Sequence, residues 1–393
     1  MADQDPVVIV GMARTPMGGL LGDLASFSAN ELGAIAVKAA VEEAKLGADE
    51  ADEIIMGNCL PAGQGQAPAR QAGIKAEQDK GLESTTINKM CGSGMQAAVM
   101  GRNAILAGEA EIVIAGGMES MTNAPHIMDI RKGHKYGTMG AQDHMALDGL
   151  TDAYANVPMG SFADMIAGEY QFTREQQDAY ALETLSRAQK ATADGKFKRE
   201  IAPVTVKSRK GETIVEEDEL PRTARPDKIP ALKPAFNKEG TVTAANASAI
   251  SDGAAAVVLM KQSEADKRGL SPIAKIVATS SHAHAPEYFT TAPVPAMKKT
   301  LEKAGWGIND VDLWEVNEAF AVVPMIAMKE LGISHDKVNV NGGACAMGHP
   351  IGASGARVLI TLLAAMEDRD AKKGVASLCI GGGEGIAMAV ERA

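Results

Sequence analysis

Short apolar runs alternate with helix-type patterns over the first 120 residues. Short runs rich in β-branched residues, each ending in glycine or a polar residue, predict strands at 7–11, 53–57, 84–88 and 112–117. Between them, apolar residues recur at helical spacing and predict helices at 28–45, 64–76 and 94–107. Strands that alternate with helices are typical of a largely parallel α/β sheet covered on both faces.

The same order of elements begins again near residue 272. A strand is predicted at 273–277, a helix at 296–304 and a strand at 311–317. The Gly-Gly-x-Glu segments at 116–119 and 381–384 then fall at matching points, with Cys379 opposite Ile114. We interpret these matches as an internal duplication of one α/β half, with chance similarity between strand–turn segments as the alternative. The predicted boundaries are 1–270 for an N-terminal domain and 271–393 for a C-terminal domain.

A different kind of sequence, at about 120–250, separates the two halves. Residues 122–160 show little periodicity, whereas Thr173 and Gln176 form a capping-box pattern at the start of an amphipathic helix that runs to Ala193. Residues 221–238 are rich in proline and basic residues. We predict a loop-rich insertion whose basic loop is either a local anion site or an ordinary solvated loop.

Composition and charge exclude several classes of protein. The 393 residues are 46% apolar and 23% charged, which is typical of a folded chain, and the net charge of -11 argues against a nucleic-acid binder. No apolar run reaches the roughly 18 residues that cross a bilayer. The short acidic stretch 1–6 has no basic region before an apolar one, so we expect a cytoplasmic protein.

The four cysteines lack a Cys-x-x-Cys pair, so neither a zinc knuckle nor a disulfide is predicted. Cys91 is the most unusual of them, because it stands between a predicted strand and an apolar helix in Asn-Lys-Met-Cys-Gly-Ser-Gly, residues 88–94. The helix dipole would favour a thiolate there, and the arrangement resembles a nucleophile elbow. A nucleophile and a buried structural cysteine both remain open from this segment alone.

Three further polar groups stand where predicted strands end or helices begin. His349 occupies a glycine–proline turn before a helix and could act as a general base or an oxyanion donor. Cys379 precedes Gly381–Gly383, whose backbone N–H groups suit an oxyanion hole. Asn317 follows a strand, where its amide could fix a water or a ligand. The carboxyl ends of parallel strands are where active sites are built, so we expect these groups to meet.

Other ligand sites are not indicated by the sequence. No Gly-x-Gly-x-x-Gly follows the first strand, and no phosphate-binding Gly-Lys-Ser/Thr segment is present. His282 and His284 form a His-x-His pair without a third ligand nearby, so we interpret them as part of a surface loop and predict no metal site.

Four segments together strongly resemble the thiolases, in order and spacing. They are Cys-Gly-Ser-Gly at 91–94, Asn-Glu-Ala-Phe at 317–320, Gly-His-Pro-Ile-Gly at 348–352 and Cys-Ile-Gly-Gly-Gly at 379–383. The match runs from about Val7 to Val390, and residues 241–248 and 252–256 look like the biosynthetic, acetoacetyl-CoA-forming branch. The resemblance implies two duplicated βαβαβαββ halves that form a five-layered α-β-α-β-α core with a loop-rich insertion.

The resemblance also implies a role for each candidate residue. Cys91 would take the acyl group as a thioester, and His349 would deprotonate it and later help to hold the thioester oxygen. Cys379 would exchange the α-proton of the second acetyl-CoA. Asn317 would hold a water that completes one oxyanion hole with His349, and the N–H groups of Cys91 and Gly381 would form the other.

Coenzyme A thioesters are the substrates that the resemblance implies, without a further cofactor. Ser248 would meet the pantetheine, and Arg222 in the insertion would meet the nucleotide end. Met159 and Phe320 would line the acyl pocket, although both could be ordinary core residues. The basic loop 131–136 matches one that thiolases place near a tetramer contact, so a homotetramer built from dimers is expected.

Two departures from the family pattern bear on the substrate. Pro158 stands where the biosynthetic branch often has histidine, and Leu185 stands where the potassium-binding branch has tyrosine, so no potassium requirement is predicted. The expected reaction interconverts two acetyl-CoA with acetoacetyl-CoA and CoA. The alternatives are a thiolase for longer 3-ketoacyl-CoA chains in fatty-acid degradation and, more remotely, a non-catalytic acyl-CoA or lipid binder; a ketoacyl synthase is disfavoured because it would carry a second histidine near 317–318.

Overall fold

The computed structural model describes residues 5–209 and 211–392. The strands are β1 Val7–Arg14, β2 Gly18–Gly19, β3 Glu53–Gly57, β4 Glu83–Ile87, β5 Ile112–Ser120, β6 His126–Ile127, β7 Gln142–Asp143, β8 Val204–Ser208, β9 Gly211–Val215, β10 Ser251–Lys261, β11 Ala274–Ala283, β12 Leu313–Val316, β13 Lys373–Ile380 and β14 Glu384–Glu391. The helices are α1 Ala29–Glu43, α2 Pro68–Lys75, α3 Ser93–Ala107, α4 Met159–Glu169, α5 Arg174–Ala193, α6 Glu219–Thr223, α7 Gln262–Lys267, α8 Pro293–Ala304, α9 Val322–Leu331, α10 Ala344–Met347 and α11 Ile351–Asp368.

The large sheet is nearly symmetric about its middle. Its order is β12-β13-β14-β11-β1-β10-β5-β3-β4, with β2 added beside β10. Outward from the β1–β11 pair, β10-β5-β3 in the first half match β14-β13-β12 in the second, and β4 is an additional edge strand of the first half. That pair joins the half-sheets through Val8 opposite Lys275 and Ile9 opposite Ala274. β6–β7 and β8–β9 are two small hairpin-like sheets in the insertion.

The prediction of a largely parallel sheet is wrong. β3 pairs in parallel with β4 and β5, and β12 pairs in parallel with β13, but the other pairings of named strands are antiparallel. The reason lies in the last strand of each half. β10 runs antiparallel between β5 and β1, and β14 runs antiparallel between β13 and β11. Alternating strands and helices do not reveal that reversal.

The predicted five layers are confirmed. α3 and α11 pack against each other and against strands of both half-sheets, which makes them the central layer. α1 and α2 cover the outer face of the first half-sheet, and α8 and α9 cover that of the second. Three separate clusters of buried apolar side chains fill the spaces between these layers.

The duplication extends to single hydrogen bonds. Asp52 Oδ2 accepts the N–H groups of Glu111 and Ile112 at 2.8 and 2.9 Å, at the start of β5. The carboxylate of Asp312 accepts those of Lys372 and Lys373 at 2.8 and 2.9 Å, at the start of β13. Corresponding aspartates therefore fix corresponding strands in the two halves.

Local predictions hold with two corrections. Thr173 Oγ1 accepts the Gln176 N–H at 3.2 Å and Gln176 Oε1 accepts the Thr173 N–H at 2.9 Å, so the capping box at α5 is confirmed. The helix predicted at 64–76 is only α2, because Gly63 and Gly65 adopt φ of 79° and 85°, in the left-handed region that ends regular helix. His282 lies in β11 rather than in a loop.

The insertion is anchored to the core by a buried arginine. Arg14 in β1 donates to both carboxylate oxygens of Asp218 at 2.7 and 2.9 Å and to Glu200 at 2.8 Å. Within residues 5–209 and 211–392, no helix combines the length and the apolar character needed to span a bilayer.

Candidate active site

Cys91 lies in a strained turn between β4 and α3. The preceding residue, Met90, has φ of 45°, which is unfavourable for a residue with a side chain. Ser93 fixes this turn, because its Oγ accepts the Lys89 N–H at 2.8 Å and donates to the Met90 carbonyl at 2.6 Å. The local geometry therefore agrees with the strand–turn–helix arrangement expected from the sequence.

The Cys91 thiol is stabilised in its protonated form. Burial raises its pKa to about 11, although the N–H groups of Gly381 and of Cys91 itself donate to the sulfur and act in the opposite direction. Burial therefore opposes the thiolate that the helix dipole is expected to favour. A nucleophilic Cys91 needs a base that takes its proton.

The end of β13 lies against this turn. A Cβ atom on Gly92 would come within 2.5 Å of Cδ1 of Ile380, so the two segments are in close contact. Cys379 is 1% exposed, and burial, followed by the neighbouring Cys91, holds its pKa well above the ordinary value. The structure thus brings together Cys91, Cys379 and the backbone N–H of Gly381, as the sequence predicted.

His349 is buried with one nitrogen engaged and one free. Nδ1 lies 2.6 Å from Oγ of Ser354, and that hydroxyl donates its single hydrogen to the Pro350 carbonyl at 2.9 Å. Nδ1 must therefore carry the ring proton, which leaves the Nε2 lone pair available; Nε2 has no hydrogen-bond partner among the described residues. Burial, and then the charge of Arg357, lowers the pKa of His349 to about 3, so the imidazole is neutral at pH 7.

The first turns of α3 and α11 cross at backbone contact. A Cβ on Gly94 would lie 2.6 Å from the Ala356 nitrogen, and one on Gly355 would lie 2.3 Å from the Met95 nitrogen. Only glycines permit this approach at both positions. Cys91 also packs against an apolar cluster that contains Ile351, two residues after His349. The crossing therefore places the Cys91 and His349 turns at the same end of the central layer.

Asn317 directly follows β12 and lies beside the imidazole. Its side chain is buried, its N–H donates to the Ser377 carbonyl at 2.9 Å, and its Nδ2 lies 3.5 Å from Nδ1 of His349. Oδ1 accepts a hydrogen bond from Nη2 of Arg357 at 3.1 Å. Asn317 and His349 are therefore neighbours, as predicted.

Glu119, in the first Gly-Gly-x-Glu segment, joins the predicted residues at the site. Its carboxylate is fully buried and burial raises its pKa to about 7. It accepts four hydrogen bonds: from Asn58 Nδ2 at 2.7 Å and from the N–H groups of Cys59 at 2.9 Å, Leu60 at 3.1 Å and Gly352 at 2.8 Å. This carboxylate ties the loop after β3 to the first turn of α11.

Three of the four predicted substrate contacts surround the site. The Ser248 N–H donates to the Ala319 carbonyl at 3.0 Å, and the next residue along, Ala249, accepts the His349 N–H at 3.1 Å. Cε of Met159 lies 3.9 Å from the position of a Cβ on Gly381. Nearby, a cavity of about 760 Å³ is lined by Phe162, Met165, His284 and Gly382, among others.

Phe320 lies in the apolar core beside the predicted substrate contacts, and its role in an acyl pocket stays a prediction. It follows Ala319 and is 8% exposed, and its ring meets those of Phe236 and Phe289 edge-on, with ring centres 6.0 and 6.1 Å apart.

Arg222 is the fourth predicted substrate contact. Its guanidinium is half exposed on α6 and pairs with Asp23 at 2.5 Å. Leu220 of the same helix reaches the turn before His349, 3.3 Å from a Cβ position on Gly348.

A metal site is not evident in the part of the chain that the structure describes, where no group of three His, Cys, Asp or Glu side chains converges. The His282 Nδ1 faces the Lys299 ammonium at 3.0 Å, and His284 Nε2 lies 2.8 Å from the Tyr288 carbonyl. Both rings are therefore engaged in local contacts.

Comparison with known proteins gives matches over nearly the whole chain. The family model of the thiolase N-terminal domain matches residues 7–263, and that of the thiolase C-terminal domain matches residues 270–392. A protein of Paracoccus denitrificans named acetyl-CoA acetyltransferase is 49% identical over 386 residues, which are 98% of this chain and 99% of that protein. A mouse protein named cytosolic acetyl-CoA acetyltransferase is 46% identical and covers 100% of this chain and 99% of its own.

Solved structures agree with these matches. An acetyl-CoA acetyltransferase from Syntrophomonas wolfei superposes with a TM-score of 0.96 at 41% identity, with 100% of both chains covered. A thiolase from Ascaris suum, solved in complex with coenzyme A, gives a TM-score of 0.94 at 42% identity and covers 99% of this chain and 100% of its own.

Proposed function

Because this chain belongs to the thiolase family, we propose that it is an acetyl-CoA acetyltransferase, which interconverts two acetyl-CoA with acetoacetyl-CoA and CoA. The observation that carries the proposal is the meeting of Cys91, Cys379 and the Gly381 N–H at the turn between β4 and α3. The names of relatives that are nearly half identical over their full length support the two-carbon substrate.

In the first step, the neutral His349 accepts the Cys91 proton at Nε2 while the sulfur attacks the thioester carbonyl of acetyl-CoA. The free lone pair on Nε2 supports this role. The N–H groups of Cys91 and Gly381 stabilise the oxyanion, and the carbon–sulfur bond to CoA breaks. The departing CoA thiolate takes the proton of Cys379, which leaves acetyl-Cys91, an imidazolium and a Cys379 thiolate.

In the second step, the Cys379 thiolate removes the α-proton of a second acetyl-CoA. The enolate oxygen is held by the imidazolium of His349 and by a water on the Asn317 amide. The enolate carbon attacks acetyl-Cys91, and collapse of the adduct forms acetoacetyl-CoA and expels Cys91 as a thiolate. His349 returns its proton to Cys91, so both thiols and the neutral imidazole are restored.

The resting protonation states suit this order of events. A thiol with a pKa raised to about 11 and an imidazole with a pKa lowered to about 3 favour the neutral pair before substrate binds. Proton transfer then becomes favourable only when the thioester oxygen occupies the N–H groups that stabilise the developing charge.

Mass spectrometry after mixing the protein with acetyl-CoA tests the covalent step. We expect a stable acetyl adduct on the Cys91 peptide and none in Cys91→Ser under thioester-detecting conditions. An unmodified Cys91 peptide in the intact protein would refute the mechanism.

The second candidate is a thiolase for longer 3-ketoacyl-CoA chains. Two features support this alternative: Pro158 in place of the usual histidine, and the open, mainly apolar cavity beside Gly382. A thiolysis series from four to twelve carbons decides between the two. We expect the four-carbon substrate to be cleaved fastest, and equal or faster cleavage of eight-carbon chains would favour the alternative.

The proposal includes the setting of the reaction. We infer a cytoplasmic enzyme that needs no cofactor beyond its CoA substrates and forms a homotetramer built from dimers. Light scattering gives the oligomeric state. In this enzyme, Ser248 would contact the pantetheine of CoA and Arg222 its nucleotide.

Arg222→Ala should raise KM for acetyl-CoA with kcat little changed, because the contact of Arg222 with CoA would be the same in the ground and transition states.

A further inference from the structure

Arg357 is a charged residue in the middle of an apolar helix. It lies in α11 between Ala356 and Val358, and its side chain is 0% exposed. Ser354, which holds His349, precedes it by three residues and therefore lies on the same face of the helix. A buried guanidinium is costly unless its position has a use or a partner.

The guanidinium has one directional contact among the described residues. Its Nη2 donates to Oδ1 of Asn317 at 3.1 Å, whereas Nε and Nη1 find no hydrogen-bond acceptor there. The carboxylate of Glu315 lies 3.9 Å from Nη1, beyond hydrogen-bond distance, and neither of its oxygens has a donor. Arg357 is thus oriented toward the amide of Asn317 more than toward an ion pair.

The surrounding charges come from several elements. Glu315 in β12 and Glu200 after the short helix Lys196–Arg199 attract Arg357, as does Glu318, while Arg14 in β1 repels it. Glu200 is itself hydrogen-bonded to Arg14, which pairs with Asp218. The net result is a buried cation that faces Asn317 on one side and Glu315 on the other.

An asparagine amide has two ends of nearly the same size, so its neighbours decide which end points where. With Oδ1 on Arg357, the Nδ2 group lies on the side of the His349 ring, 3.5 Å from Nδ1; because Nδ1 carries the ring proton, the Nδ2 hydrogens are not taken up by His349 and remain free for a water. The flipped amide would place an NH₂ group against the guanidinium, which is a repulsive contact. It would also present an oxygen instead of an N–H donor on the side of His349, where the water of the oxyanion hole would be held.

We propose that Arg357 is a positioning residue, which fixes the Asn317 amide so that its NH₂ group serves the oxyanion hole of the carbon–carbon step. This inference rests on the proposed function. It predicts that Arg357 acts through Asn317 and on one half-reaction, whereas a merely structural residue would affect both half-reactions or only stability.

Arg357→Lys tests the inference while keeping the positive charge near His349. We expect condensation of acetyl-Cys91 with acetyl-CoA, measured by single turnover, to slow by about 10- to 100-fold, the loss expected for one charge-assisted hydrogen bond. The rate of Cys91 acetylation should change by less than about threefold. Equal slowing of both steps, or no slowing of condensation, would overturn the inference.

A double-variant comparison checks that the effect passes through Asn317. If Arg357 acts only by positioning this amide, Asn317→Ala with Arg357→Lys should condense no more slowly than Asn317→Ala alone. Additive losses would contradict it. Arg14→Lys is the matched control, because Arg14 is equally buried but its partners are Asp218 and Glu200; its ratio of the two step rates should equal that of the wild type.

Asn317→Asp tests the orientation of this side chain toward Arg357 without altering Arg357. A carboxylate at this position would pair with the buried cation, so the unfolding temperature should rise while condensation falls at least as far as in Asn317→Ala. A lowered unfolding temperature would contradict the orientation. Failure of wild-type protein to form acetyl-Cys91 would instead refute the proposed function, so the two failures are distinguishable.

Discussion

The two halves of the molecule share a scaffold but differ in chemistry at matching positions. Asp52 and Asp312 accept the same pair of backbone N–H groups in their respective halves. In contrast, the Gly-Gly-x-Glu segments place Cys379 opposite Ile114, both fully buried. The aspartates that fix strand geometry are the same in both halves, whereas this pair of buried positions, each packed in the apolar cluster on the outer face of its half-sheet, differs.

The glutamates of these two segments differ as strongly. Glu119 is fully buried and accepts four hydrogen bonds, whereas Glu384 is 36% exposed and pairs with Lys89, two residues before Cys91. One duplicated carboxylate therefore holds loops together in the interior, and the other makes a surface ion pair. Burial, rather than sequence position, therefore decides what a repeated residue contributes.

Removal of the diverged thiol should produce the largest effect. In Cys379→Ala, acetylation of Cys91 should stay within a few-fold of the wild type, while the condensation step should fall by about 100- to 10,000-fold, the range of general acid–base catalysis. Rapid-quench measurement of acetyl-Cys91 and of acetoacetyl-CoA separates the two. Cys345→Ala is the control, since the Cys345 thiol on α10 lies against the Glu318 carbonyl, has no role in the proposed steps and should retain both of them. A Cys379→Ala enzyme that still condenses at the normal rate would remove the Cys379 thiol from the mechanism.

Most strands, turns and the four motif segments could be predicted from the sequence, because they are local patterns. β3, β5, α3 and α5 begin and end close to where their patterns do. The antiparallel return of β10 and β14 could not be predicted, because pairing partners are set by packing rather than by local periodicity. Glu119 and Arg357 were missed for the same reason: Glu119 contacts Gly352, 233 residues away, and Arg357 contacts Asn317, 40 residues away.

Local sequence also does not show whether the helix dipole or burial dominates the pKa of Cys91. The pH dependence of alkylation measures which of them does. With a pKa raised to about 11, the thiol gains reactive thiolate as the pH rises, so the iodoacetamide rate of the free enzyme should increase about 10-fold per pH unit from 7 to 9. A plateau near pH 7 would show that the dipole outweighs burial. Peptide mapping, with Cys91→Ser as the control, assigns the modified residue.

The smallest expected difference separates the two repeated glutamates. In Glu119→Gln, one oxygen becomes an NH₂ group that faces backbone donors, so at least one buried N–H loses its acceptor and the free energy of unfolding should fall by about 1–3 kcal/mol. Glu384→Gln is the matched substitution at the exposed position, and loss of a surface ion pair should lower that free energy by less than about 1 kcal/mol. Urea unfolding at pH 8, above the raised pKa of Glu119 of about 7, compares the ionised carboxylates directly. Equal losses in the two variants would mean that the buried carboxylate gives the fold no more than the surface pair does, and the duplicated positions would then differ in burial without differing in energy.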